Sequence, residues 1–546
     1  MKSTFPPFDY EAARAEFSFS VPDDYNFAFD VIGKRALEND KTALIVIERD
    51  GENVVHHSYS DLDKASSRFT NALQGLGVTK GDAVLVVLPR IPEWHHVLLG
   101  CTKMGAIAMP GTNLLTAKDL EYRINRAGVK VAVVTKKHAE AIESIKANCP
   151  TLEHLILVGD AREGWNPYQS ICAAAPDTVD RAALPVTKSD ELMLIYFTSG
   201  TTAMPKMVGR DHTYAQAHQI TGQYWQTLTE NDVHWTLTDT GWAKAAWGLM
   251  YPPLLAGAAV VLYDGEGFDL DMHLKIIKEQ KVTTFCAPPT IYRLMAQADL
   301  SGGDFSSLRH CVGAGEPLNP GAMRSWKEAT GCDIYDGYGQ TETVNIVANF
   351  PGMEIRPGSM GKPCPGLTVD VIDDDGVIVR EGEVGNIGVK ITDPYPPGLF
   401  HGYFRDEKAT ANSFRNGWYY TGDTATRDED GYIWFIGRSD DIITSSGYRI
   451  SPFEVESTLI EHPAIVESAV VAKPDEMRGE IVMAFITLGQ GYEASDELAK
   501  EIQDFVKNQT APYKYPREIV FRDVLPKTIS GKIRRVELRE EAAKSS

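Results

Sequence analysis

Two hydrophobic patterns alternate along the first half of the chain. Apolar positions at helical spacing run through 60–76, which stops at Gly77, and through 91–104; short unbroken apolar runs occupy 82–88 and 129–135. A period near 3.6 alternating with runs too short for a helix predicts strands covered by helices on both faces. A second block of this kind runs from Leu192 to about Ile346, with strands expected near 192–197, 259–263, 283–287 and 309–312. After Pro351 the texture changes. Residues 352–392 are rich in Gly, Pro and Asp with short apolar pairs and read as small β structure, a barrel or ribbon. A third texture starts near Gly437. Two short strands surround Ser445-Ser446-Gly447. Ser451-Pro452-Phe453-Glu454 then supplies the N-cap, first-turn proline and third-position acid of a helix start. Strands over 465–472 and 482–488 and a helix over 495–509 complete the chain, which divides most naturally near residue 438.

Composition narrows the class. A chain of 546 residues suggests three or four folding units at about 150 residues each. With 43% hydrophobic and 24% charged residues, wholesale disorder is excluded. The net charge of −21 disfavours nucleic acid and anionic membrane surfaces as partners, yet leaves room for a local basic cleft that takes a small anion. Seven cysteines, an odd number with no CxxC pair, argue against a disulfide framework or zinc ribbon and for a reduced, cytoplasmic setting. No cationic run followed by an apolar one opens the sequence, so no secretory leader is expected. The longest apolar stretch, 249–263, is too short for a bilayer and contains Pro252, Pro253 and Gly257, so it reads as core, with no integral membrane segment.

The most informative segment is Tyr196-Phe197-Thr198-Ser199-Gly200-Thr201-Thr202-Ala203-Met204-Pro205-Lys206. An apolar strand enters a loop of hydroxyl residues and Gly that ends in a Lys. Such a loop can offer backbone N–H groups, hydroxyls and one ammonium to a phosphate chain. It is not a Walker loop, because Pro205 and Met207 stand where Gly and Ser/Thr would flank the Lys. A polar surface turn would fit the composition equally well.

The string resembles the phosphate loop of the adenylate-forming superfamily, which unites acyl-CoA synthetases, peptide-synthetase adenylation domains and firefly luciferase. Further segments match that superfamily in order: Gly313-Ala314-Gly315-Glu316-Pro317, Tyr335-Asp336-Gly337-Tyr338-Gly339-Gln340-Thr341-Glu342, Trp418-Tyr419-Tyr420-Thr421-Gly422-Asp423, Gly437-Arg438-Ser439-Asp440-Asp441 and Pro526-Lys527-Thr528-Ile529-Ser530-Gly531-Lys532. The fold implied is multidomain α/β. It comprises an N-terminal adenylation domain, 1–437, of layered α/β subdomains plus a small barrel-like β subdomain. A hinge, 438–441, and a mobile α+β C-terminal domain, 442–546, follow.

The resemblance also implies roles. Thr198, Ser199, Gly200, Thr201, Thr202 and Lys206 would hold ATP phosphates. Gly315, Glu316 and Pro317 would line the adenine, and Asp336, Gly337, Tyr338, Gly339, Gln340 and Thr341 would complete the nucleotide site. Glu342, with Thr341 adjacent, would bind Mg²⁺, Asp423 would take the ribose hydroxyls and Arg438 the ribose or phosphate. Catalysis would rest on Lys532, Lys206, Glu342 and Thr341. Attack of one anion on another needs this neutralisation and in-line positioning. Lys532 would serve adenylation and then leave as the C-terminal domain turns about Asp440. Ser446, Gly447, Tyr448, Arg449, Arg478 and Lys514 would then meet coenzyme A.

Asp239–Gly248 resembles the acyl-pocket helix of medium-chain acyl-CoA synthetases. Carried over by position, Trp225, Lys244, Trp247, Cys286 and Gly339 line the pocket. Lys244 stands where α-amino-acid enzymes carry an Asp, and would repel an ammonium by about 1 kcal/mol or more. The resemblance therefore implies an AMP-forming acid–CoA ligase of fatty-acid type for a short or medium carboxylic acid, branched and aromatic acids included; an oligomer is left open. Two rivals are an enzyme loading a free-standing carrier protein and a non-catalytic acyl or nucleotide binder.

Overall fold

The computed structural model describes residues 5–198, 204–265, 267–316, 318, 320–446, 448–527 and 533–544. Among these, four sheets carry the architecture. Parallel strands buried on both faces organise the first two, as the apolar runs require. A seven-stranded sheet has Ala83–Val87 at its centre, flanked by Val129–Thr135 and Ile107–Pro110, with Leu192–Phe197 next and Met207–Asp211 antiparallel at the edge. A nine-stranded sheet runs through Ala259–Tyr263, Val233–Thr236, Thr284–Ala287, His310–Ala314 and Ile334–Gly339, all parallel, and then turns antiparallel at Asn345–Ala348.

The helices between these strands start where side chains cap them. Ser58 and Asp61 form a reciprocal capping box at Tyr59–Gly75, and Thr116 and Asp119 do so at Ala117–Ala127. Expected strands at 129–135, 192–197 and 259–263 occupy those residues, whereas the strand expected at 309–312 is His310–Ala314. The expected core stretch at 249–263 is part of helix Tyr251–Ala256 and strand Ala259–Tyr263, largely buried.

The Gly- and Pro-rich part forms a five-stranded antiparallel sheet: Val369–Ile372, Gly385–Lys390, Trp418–Arg427 and Phe414–Arg415, with Ile433–Arg438 on the other edge of Trp418–Arg427. From Ile443 onward the chain builds a sheet around Ile465–Asp475 and Gly479–Leu488, with buried clusters of its own. Helix Pro452–Ile460 begins as expected, with Ser451 capping Glu454 N. Helix Asp496–Gln509 has Ser495 as its cap. No described helix is long and apolar enough to cross a membrane.

Candidate active site

The carboxyl ends of parallel strands bring the motifs together, as open α/β sheets do for their ligands. Leu192–Phe197 delivers Thr198 to the phosphate segment, and Thr198 N donates to Lys206 O at 3.0 Å. Thr284–Ala287 ends beside Cys286, His310–Ala314 runs into Gly315 and Glu316, and Ile334–Gly339 runs into Gln340, Thr341 and Glu342. Ser199, Gly200, Thr201, Thr202, Pro317, Gly447 and Lys532 lie outside the described residues, as does the Arg449 side chain.

Lys206 and Glu342 meet through one tyrosine. The Lys206 ammonium lies 4.6 Å from the centre of the Tyr403 ring, and the Tyr403 hydroxyl donates to Glu342 Oε1 at 2.9 Å. Glu342 is buried, and burial pushes its pKa above the ordinary carboxyl value against the bond from Tyr403. Its main chain is fixed by Arg210, whose Nη1 donates to Glu342 O at 2.8 Å, and by Phe400 N at 2.9 Å. A buried carboxylate that favours its neutral form gains most from an arriving cation. Magnesium in phosphate chemistry takes one or two carboxylates plus the phosphates. Glu342, with the Thr341 hydroxyl beside it in sequence, fits that donor set. Among the described residues no cluster of three or more His, Cys, Asp or Glu offers an all-protein metal cage.

The residues expected at the ribose form a second network. Asp423 and Arg438 are register partners on adjacent antiparallel strands, with Arg438 Nη1 3.5 Å from Asp423 Oδ1. Asp423 Oδ2 accepts from Tyr338 Oη at 2.5 Å and from Gln340 Nε2 at 2.7 Å, and Gln340 Oε1 accepts from Tyr419 Oη at 2.9 Å. Burial works against the Arg438 charge, but Asp423 and Asp440 more than offset it, so its pKa lies above the ordinary value. Of the residues expected at the adenine, Gly315 adopts φ +107°, which favours glycine, and Glu316 Oε2 accepts from Thr290 Oγ1 at 3.1 Å.

Two glycines seat the tryptophans expected at the acyl pocket. A Cβ on Gly337 would sit 2.5 Å from the Trp225 ring, and one on Gly339 would sit 2.4 Å from Trp247, so each indole lies directly on strand backbone. Trp225 Nε1 donates to Tyr335 O at 3.0 Å. Lys244 Nζ donates to Ala314 O at 3.0 Å and exerts its charge on Cys286 and Asp336. Burial raises the Cys286 thiol and so disfavours its thiolate. Burial also raises Asp336, to about 8, against hydrogen bonds from the Gly337 and Leu318 backbone and the Lys244 charge.

The residues expected at the coenzyme A face gather around one turn. Ser446 N donates to Arg478 O at 2.9 Å, and the Tyr448 ring stacks on Tyr513 at 4.2 Å. Arg478 is exposed, whereas Lys514 is engaged by Glu454 Oε1 at 2.5 Å. At the expected hinge, Arg539 donates to Asp440 O at 3.3 Å and pairs with Asp441, and the Ser451 hydroxyl donates to Ile436 O across the cut. Tyr403 and Arg210 hold the expected ligands in place without having been singled out in the sequence, and Tyr419, part of a quoted motif, holds Gln340.

A family model described as AMP-binding enzyme matches residues 34–404, and one described as AMP-binding enzyme C-terminal domain matches 454–532. The chain is 44% identical to the mitochondrial acyl-coenzyme A synthetase ACSM3 of Rattus norvegicus, over 98% of this chain and 93% of that protein. Among solved structures, the anthranilate CoA ligase AuaEII in complex with anthranoyl-AMP superposes with a TM-score of 0.88 at 34% identity, covering 96% of this chain and 98% of the other. A benzoate CoA ligase from Burkholderia xenovorans LB400 does so with 0.81 at 27%, covering 94% and 100%.

Proposed function

The chain belongs to the AMP-binding enzymes and is an AMP-forming acyl-CoA synthetase, and from that premise we propose how its own residues divide the work. The reaction is ATP-dependent acid–CoA ligation through an acyl-adenylate. A carboxylate oxygen attacks the α-phosphorus of ATP, the bond to the β-phosphate oxygen breaks and pyrophosphate leaves. The thiol of coenzyme A then attacks the acyl carbon, the bond to the AMP phosphate oxygen breaks and a proton is released.

In this reading Thr198 and Lys206, with the hydroxyls of Ser199, Thr201 and Thr202, bind the phosphates, and Asp423 and Arg438 orient the ribose. Glu342 would hold magnesium, which when bound would supply positive charge to the phosphates. Lys532 is the cation of the adenylation step, and residues 438–441 are the pivot between the two half-reactions, with 442–546 as the moving unit. The observation that carries this reading is the Lys206–Tyr403–Glu342 bridge, which fixes a cation and a buried carboxylate at the carboxyl ends of two neighbouring sheets.

For the acid, Trp225 and Trp247 supply flat apolar walls that favour a short, branched or aromatic acyl group over a long chain. The named aromatic-acid ligases among similar structures support including aromatic acids. A cytoplasmic setting remains our proposal, though ACSM3 is named mitochondrial; an oligomer stays open. The deciding experiment scores AMP release and CoA thioester formation across alkanoic and benzoic acids, with Lys532→Ala as control. The absence of acid-dependent AMP release throughout would refute the reading. Transfer to a carrier protein but not to free coenzyme A would favour the carrier-loading alternative.

A further inference from the structure

Behind the Trp247 wall the structure gathers buried polar groups that lack partners. Asn345 is the cross-strand partner of Gly339, the glycine against which Trp247 packs. His218 meets Trp247 edge-on at 6.1 Å, and Thr221 Oγ1 joins His218 to Asn345, lying 3.2 Å from His218 Nδ1 and accepting from Asn345 N at 3.4 Å. Gln226 Nε2 donates to Trp247 O at 3.0 Å, and the Tyr214 ring lies 4.5 Å from His218. Tyr214, His218 and Asn345 are each 0% exposed, Gln226 1% and Trp247 6%. Yet His218 Nε2, Gln226 Oε1 and both amide atoms of Asn345 meet no hydrogen-bond partner among the described residues, whereas the Tyr214 hydroxyl is met by the Trp247 indole. Buried polar groups in folded proteins are overwhelmingly paired, so adjoining exceptions at a substrate pocket mark polarity that a ligand completes.

Charge selects the class of ligand. Arg210 directs its two Nη atoms to the carbonyl oxygens of Glu342 and Gly398, and its face covers the Tyr214 ring at 3.9 Å. Its two Nη atoms are therefore engaged and do not offer a carboxylate a fork, although Nε meets no partner among the described residues. The orphaned groups themselves are amide and imidazole, with no carboxylate among them to meet an ammonium. A cationic substituent would be buried near Arg210 without a counter-ion, and an anionic one would find the Arg210 Nη atoms already engaged, whereas a neutral donor–acceptor group would satisfy several atoms at once.

We propose that the preferred acid carries an uncharged hydroxyl or aromatic amino substituent, received by the Asn345 amide beside His218 and Trp247. This deepens the acid–CoA ligase reading and rests on it.

The test is a matched-pair panel on the full-length enzyme. Hydroxy- and aminobenzoates at each ring position are compared with the methylbenzoates of the same shape, and terminal hydroxyalkanoates with alkanoates bearing a methyl in that place. A polar member is expected to exceed its methyl isostere in kcat/KM by about tenfold or more, because a site built to hydrogen-bond a substituent rejects the analogue lacking it. Asn345→Leu should erase or invert that ratio while leaving the KM for ATP within about twofold. The inference is overturned if methyl isosteres match their polar partners throughout, or if Asn345→Leu lowers both members in proportion. The wild-type ratios decide the matter even if that variant does not fold. If no acid releases AMP, the ligase reading fails first and this inference falls with it; activity without polar preference refutes this inference alone.

Discussion

The Tyr403 hydroxyl donates to Glu342 Oε1 at 2.9 Å, and the ring that carries it holds the Lys206 ammonium on its face. Tyr403→Phe keeps the cation over an aromatic face and removes the bond. Hydrogen bonds to charged groups contribute about 1.5–3 kcal/mol, so adenylation should slow by about 10- to 100-fold. The loss also removes a contact that lowers the Glu342 pKa, so half-maximal rate should need more Mg²⁺. Acid-dependent pyrophosphate exchange measured against Mg²⁺ concentration checks both. An unchanged Mg²⁺ dependence would mean that Tyr403 does not act through Glu342.

Lys514 faces Glu454 and is not free to meet a phosphate. A partly exposed ion pair contributes no more than about 1 kcal/mol, so an incoming phosphate can displace it. Glu454→Gln should therefore lower the KM for coenzyme A a few-fold and leave that for ATP unchanged, while Lys514→Ala should raise it. If both variants raise it alike, the pair serves the Pro452–Ile460 helix and not coenzyme A.

What the sequence makes legible follows from range. The strands at 129–135, 192–197 and 259–263 are continuous apolar runs, and burial on both faces leaves their bounds little freedom. The Ser451 and Ser495 helix starts are equally local, since a cap involves residues three apart. His310–Ala314 extends two residues beyond its expected end because Gly313 and Ala314, which read as loop, pair with Asp336 and Gly337 across the sheet. The motifs name the ligands, but their geometry comes from distant segments: Tyr403 reaches Glu342 across 61 positions, and Arg210 across 132. Neither contact has a pattern in a single sequence. The unpaired group around Asn345 is likewise invisible there, since the lack of a partner is a property of packing.

Arg539, in the last helix, Arg535–Lys544, holds the backbone of Asp440 and the side chain of Asp441. If 438–441 is the pivot, this clasp favours the present arrangement of the C-terminal unit. Arg539→Ala should change the ratio of the two half-reaction rates a few-fold, in line with the modest strength of a partly exposed pair. The rates are read as pyrophosphate exchange and as thioester formation from supplied acyl-adenylate. Equal change in both would place the effect on stability instead of domain arrangement.

Asp336 sets a pH dependence whose sign can be worked out. Its ordinary pKa is 3.8, and burial raises it to about 8 in the folded protein, despite hydrogen bonds from the backbone of Gly337 and Leu318 and the charge of Lys244. A carboxyl that keeps its proton in the folded state contributes stability below its unfolded pKa. That contribution erodes as pH climbs from 3.8 and is lost once pH passes about 8, where the buried group must ionise. Asp336→Asn holds a neutral isostere that still accepts through one oxygen, so it should flatten the fall in the apparent unfolding midpoint between those two values. It should be the more stable form at about pH 9, by roughly several degrees. Because Asp336 also lies in the proposed nucleotide site, the readout is thermal unfolding without ligand. A parallel midpoint–pH curve for the two proteins would show that Asp336 is already ionised in the folded state.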